Sequence, residues 1–105
     1  MTRQRLPNRR LAETFELTVG GLHYTCTVGR FPDGSVGEVF LSNTKPSSQS
    51  DVNARDAAVA ASLAFQFGCP LETLRRALLR DSQGKASSPL GQALDHIAAD
   101  DGAAP

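Results

Sequence analysis

A chain of 105 residues, 40% hydrophobic and 21% charged, has the size and make-up of one ordinary globular domain with a core of modest extent. Eleven basic residues balance eleven acidic ones, so no global field draws the chain to nucleic acid or to a bilayer. Two distant cysteines exclude a disulfide framework and offer no metal-ligand spacing, and no apolar run approaches the ~20 residues of a membrane-spanning helix.

Charge is uneven along the chain. Arg3, Arg5, Arg9 and Arg10 all precede the first acid, Glu13, so residues 1–12 read as a basic flexible arm. Residues 13–99 read as the domain, and 100–105, with Asp100 and Asp101, as an acidic flexible tail. Polar and charged residues interrupt the N-terminus, which therefore lacks a secretory leader pattern. Both thiols read as reduced, so a cytoplasmic location is expected.

Residues 13–19 alternate, with Phe15, Leu17 and Val19 on one face and Thr14, Glu16 and Thr18 on the other. That is the pattern of a half-buried strand. Gly20-Gly21 follows as a two-residue turn in which both positions accept positive φ. The alternation resumes over Leu22 to Arg30. The turn pairs Val19 with Leu22, Leu17 with Tyr24 and Phe15 with Cys26, so apolar meets apolar. It also places His23 opposite Thr18 on the polar face.

Pro32-Asp33-Gly34 makes a second turn, and Val36 to Leu41 returns as a third strand. Its register stays open. With a three-residue loop, Phe31 opposes Ser35, Cys26 opposes Phe40, and Glu38 opposes Val28 on the core face. A slip of one residue buries Val39 and Leu41 and sends Glu38 to solvent. A bulge at Gly37 or Gly29 would decide between them.

Residues 43–50 form a polar loop, and Ser50 or Asp51 can cap the next helix. From Val52 the period is helical, marked by Val52, Val59, Leu63 and Phe67 with alanine at most close positions, and Gly68 ends it. Pro70 opens a second helix with Leu71, Leu74 and Leu78 as its stripe. Ser88-Pro89 opens a third, with Leu90, Leu94 and Ile97 facing inward. The expected fold is α+β: a three-stranded antiparallel β-meander followed by two or three α-helices packed on one face.

In this layout the chain resembles the TSCPD domain. The likeness rests on Tyr24-Thr25-Cys26-Thr27-Val28-Gly29-Arg30, Phe31-Pro32-Asp33-Gly34, Glu38-Val39-Phe40, Ser62-Leu63-Ala64-Phe65-Gln66-Phe67-Gly68 with Pro70-Leu71-Glu72, and Ser87-Ser88-Pro89-Leu90 with Ala93-Leu94-Asp95. It covers about residues 15 to 97. The Ser-Cys-Pro-Asp run that names the family is split here, Cys26 standing between Thr25 and Thr27 and Pro32-Asp33 following later. TSCPD domains end the adenosylcobalamin-dependent (class II) ribonucleotide reductases and also occur in small stand-alone proteins. The resemblance implies kinship with that appended domain and not with the catalytic barrel.

Few residues invite chemistry. Glu38, if it faces the core, needs a cation such as Arg30 or Arg55, because an isolated buried carboxylate is costly. Glu38, Arg55, Arg30 and the turn residues Asp33 and Gly34 are the candidate binding residues. Cys26 reads as a small buried hydrophobe. Cys69, at a helix start, is the candidate reactive thiol. His23 and His96 stand alone, and no metal site or cofactor is expected. Arg75, Arg76 and Arg80 form one basic patch with Arg3, Arg5, Arg9 and Arg10 if the arm folds back. No nucleophile is paired with a base, so the chain is not read as an enzyme. The expected function is an accessory, protein-binding module whose partner is a reductase subunit or a second copy of itself through its sheet edges. The alternative is nucleic-acid or nucleotide binding through the arginines.

Overall fold

The computed structural model describes residues 2–102. The first residue of the basic arm and residues 103–105 of the acidic tail lie outside the described residues. Strands β1 (Ala12–Val19), β2 (Leu22–Arg30) and β3 (Val36–Asn43) form an antiparallel sheet in the order β1-β2-β3. Helices α1 (Gln49–Gln66), α2 (Leu71–Ala77) and α3 (Pro89–Asp100) follow, giving the α+β arrangement expected from the sequence.

The first hairpin has the register that its turn dictates. Val19 lies opposite Leu22, Leu17 opposite Tyr24 and Phe15 opposite Cys26. Gly20 and Gly21 have φ of 60° and 77°, the twist-matched turn geometry that glycine adopts without strain. On the other face Thr14 and Thr27 share a hydrogen bond of 3.1 Å, and Thr18 bonds His23 at the same distance.

The third strand pairs by the slipped register. Cys26 lies opposite Leu41 and Val28 opposite Val39. The ladder then steps from Gly29–Glu38 to Arg30–Val36, so Gly37 is the extra residue of a β-bulge. The three-residue turn survives beside it, with Phe31 N–H donating to Ser35 O at 2.8 Å. Val39 and Leu41 enter the core and Phe40 turns to the opposite face. Glu38 leaves the core face as well, but it does not reach solvent. It stays buried on the back of the sheet.

Ser48 caps α1, its Oγ accepting from Asp51 N–H at 3.1 Å. Ser50 and Asp51, the expected caps, lie inside the first turn. The face of α1 turned to the core is Ala54, Ala58, Ala61 and Phe65. The larger residues that mark its helical period, Val52, Val59, Leu63 and Phe67, are exposed instead. Small side chains let the helix lie against the outer edge of β3, where short polar groups can reach the strand. Asp51 Oδ1 accepts from Asn43 N–H at 2.8 Å. Ser62 Oγ accepts from Val39 N–H at 2.9 Å and lies 3.0 Å from Val39 O. Gln66 Nε2 donates to Gly37 O at 3.0 Å.

Ser88 caps α3 by accepting from Gly91 N–H at 3.0 Å. Leu90, Ala93, Leu94 and Ile97 of that helix close the core over Tyr24, Cys26 and Val28. Among the described residues no helix is long and apolar enough to cross a membrane.

Replacing Ser62 by alanine leaves the buried Val39 N–H and C=O without a partner. The expected loss is about 1–3 kcal/mol of unfolding free energy, read as a lower urea midpoint at unchanged slope.

Candidate functional site

The bulge sets the back of the sheet. Gly29 stands opposite Glu38, and a Cβ there would come 2.6 Å from Glu38 Cγ, so only glycine leaves room for the carboxylate to lie flat across β2. Arg10 Nε donates to Glu38 Oε2, and Arg10 NH1 donates to Pro7 O at 2.8 Å. The partner of Glu38 is therefore Arg10 of the arm, in place of Arg30 or Arg55. Further along the arm, Gln4 N–H donates to Gln66 O at 2.7 Å and Arg3 Nε to Gln66 Oε1 at 2.6 Å. Leu6 packs where a side chain at Gly37 would stand.

Between the back of β3 and the outer side of α1 runs a cleft of about 310 Å³. Its walls are Phe40, Leu41, Val59 and Leu63, with Arg3 and Arg55 also lining it. Phe40 is 52% exposed, Val59 57% and Leu63 40%. Arg55 Nε donates to Asp51 Oδ2 at 2.9 Å. Its side chain is 56% exposed while that of Asp51 is 4% exposed, so the cation faces out and the anion lies beneath it. The bond from Asn43 N–H holds the Asp51 carboxyl below the ordinary carboxylate range.

The candidate residues thus separate into two places. Glu38 and Arg55 flank the cleft. Arg30, Asp33 and Gly34 meet at the second turn. There Arg30 NH2 donates to Glu13 Oε1 at 2.9 Å and to Asp101 Oδ1 at 3.1 Å, and its NH1 donates to Gly34 O at 2.9 Å. Asp33 Oδ1 accepts from the Ser35 hydroxyl at 2.6 Å and from Ser35 N–H at 2.9 Å, which lowers its pKa. These bonds tie the turn to β1 and to the end of α3.

The arginines of α2 lie in a separate cluster. Arg75 is buried, its Nε donating to Asp95 Oδ1 at 2.8 Å and its NH1 to Glu72 Oε1 at 2.9 Å. Arg76 also pairs with Glu72. Arg80 clasps Asp95 with two bonds of 2.8 and 2.7 Å. The arm folds back on Gln66 and Glu38, so it does not join these groups through any bond among the described residues. Arg5 and Arg9 make no hydrogen bond or ion pair among the described residues. His96 stacks on Phe15 at 3.9 Å between ring centroids and pairs with Asp100. Burial pushes the Cys26 thiol up to about 12, whereas Cys69 is partly exposed.

The cleft escaped the sequence reading. Its signal was present in α1, which carries two apolar faces, one of alanine and one of valine and leucine. Phe40 and Arg3 gave no signal, because the bulge and the arm place them.

About two thirds of the chain is similar to a segment of proteins named vitamin B12-dependent ribonucleotide reductase. The relative from Agrobacterium fabrum is 40% identical over 70 residues, 67% of this chain and 6% of its own length. That from Streptantibioticus cattleyicolor is 39% identical over 71 residues, 68% of this chain and 12% of its own. That from Rhodopirellula baltica is 35% identical over 72 residues, 69% and 7% respectively. The chain therefore spans a small fraction of the relatives it matches. No family model and no solved structure matches it.

Two measurements follow from this chemistry. Bonds from Arg80 first and Arg75 next hold the Asp95 carboxyl below its ordinary value against the opposing effect of burial. A lowered folded-state pKa gives stability that is complete above the unfolded pKa of ~4 and is lost as pH falls through the folded value. The urea midpoint is expected to hold from neutral pH to mild acid and to drop below about pH 4. Asp95→Asn lowers it at neutral pH and flattens the acid limb. Iodoacetamide on the native protein is expected to alkylate Cys69 and to reach Cys26 only after denaturant is added.

Proposed function

We propose that the chain is a non-catalytic, protein-binding module of the TSCPD type, serving as an accessory to a B12-dependent ribonucleotide reductase in the cytoplasm. The observation that carries this reading is the likeness of two thirds of the chain to a segment that makes up only 6–12% of such proteins. A segment so small cannot bring a reductase's catalytic barrel with it. The local chemistry points the same way. The well-placed charged groups bond to one another: Arg10 with Glu38, Arg30 with Glu13 and Asp101, Arg80 and Arg75 with Asp95. One thiol is buried with a raised pKa, and the other donates to the Pro70 carbonyl and bonds no side-chain base among the described residues. What remains open to a partner among the described residues is apolar surface flanked by Arg3 and Arg55, not a paired nucleophile.

Nucleic-acid binding is the second reading, favoured by Arg5 and Arg9 of the arm, which have no partner among the described residues. It gains little from α2, where Glu72 and Asp95 neutralise the arginines.

Affinity capture of the tagged chain from its host lysate, with nuclease treatment and mass spectrometry, separates the two. The expected result is a reductase chain in near-stoichiometric amount that survives nuclease. Nucleic acid alone, released at high salt and lost with Arg5→Gln and Arg9→Gln, overturns the proposal.

A further inference from the structure

We propose that the cleft between β3 and α1 is a docking groove for a partner peptide in which acidic side chains flank an apolar core. This rests on the protein-binding reading above and names the surface and the chemistry of the partner.

Two observations carry it. First, α1 turns its large apolar residues away from the core. Val59 and Leu63 stand exposed beside Phe40, which the Gly37 bulge has turned to the same side. Together they make an apolar wall that nothing in the described chain covers. Second, the charged groups around this wall present one sign outward. Arg55 and Arg3 are each bonded through Nε only, leaving their terminal nitrogens without a partner among the described residues. The acids beside them are buried, Asp51 under Arg55 and Glu38 paired with Arg10. A guanidinium with two open donors takes a carboxylate edge-on.

The charge pattern also argues against self-association here. A two-fold contact through this groove would bring together the like-charged Arg3 and Arg55 of both copies, with the buried Asp51 and Glu38 already engaged inside each subunit. The apolar wall of Phe40, Val59 and Leu63 suits a peptide better than a phosphate backbone.

The full chain, immobilised, is panned against a random peptide library displayed on phage. Selected peptides are expected to carry Asp or Glu on both sides of an apolar core. Their affinity is expected to fall at least about tenfold with Arg55→Gln and with Val59→Glu. Both positions are exposed, and an unchanged urea midpoint verifies that each variant keeps its fold. Leu79→Glu, remote from the cleft and also exposed, leaves affinity unchanged. A selection that enriches nothing, peptides without an acidic bias, or peptides that bind both variants as well as the parent overturn the proposal. So does a labelled single-stranded oligonucleotide that binds in place of the peptides and is lost with Arg55→Gln. A purified B12-dependent reductase that binds parent and both variants equally sinks the groove and leaves the accessory role standing. Peptides that depend on the groove, with no reductase bound, sustain the groove and remove the reductase as its partner.

Discussion

The outer edge of β3 sets the terms for the rest of the molecule. A three-stranded sheet has two edges whose N–H and C=O groups lack a neighbouring strand, and burying them unpaired is costly. Here α1 takes the neighbour's place, with Asp51, Ser62 and Gln66 bonding the strand at Asn43, Val39 and Gly37. Such short side chains reach only if the helix lies close. Closeness requires alanine on the face toward the core, and Ala54, Ala58 and Ala61 supply it. The large apolar residues of the same helix then have nowhere to go but outward. The exposed wall of the cleft is thus a consequence of how the edge is satisfied.

The Gly37 bulge is the second constraint, and it acts on electrostatics as much as on packing. By absorbing one residue it moves Glu38 off the core face, where its carboxylate would have faced Val28. On the back of the sheet the same carboxylate lies over Gly29 and meets Arg10. The two glycines opposite and beside it therefore do separate things: one leaves room for an anion, the other for Leu6 of the arm. Arm, bulge and ion pair hold one another in place.

Local rules carried the sequence reading a long way. The first hairpin, with its register and both its faces, follows from Phe15, Leu17, Val19 and the Gly20-Gly21 turn alone. The second turn and the Ser88 cap are equally local. The third strand could not be decided, because its bulge depends on contacts with Phe31 and Leu6, distant in sequence or outside the strand. The cap of α1 moved to Ser48 because Ser47 adopts a φ of 62° beside the Asp51 carboxylate, an arrangement that composition does not announce. The facing of α1 was hidden for another reason. Periodicity shows that residues share a face but not which face is buried when alanine and larger residues repeat together. Glu38 was singled out correctly as an acid in need of a cation, yet its partner lies 28 residues away in what reads as a loose arm. Arg55 was legible as a candidate binding residue but not the cleft it flanks; the part played there by Arg3, Phe40 and Val59 was not, since each depends on a tertiary placement.

Arg30 has a further consequence. Its guanidinium bonds Glu13, near the start of β1, and Asp101, just past α3, so the first strand and the end of the last helix are held by one side chain. Topologically the domain is close to a ring. A linker across that gap would be short, and the exposed Gly20-Gly21 turn would serve as a new pair of ends without cutting a core element. A larger protein could carry the unit in a surface loop, both attachment points emerging side by side. Whatever docks at the cleft would then find it presented by a rigid body.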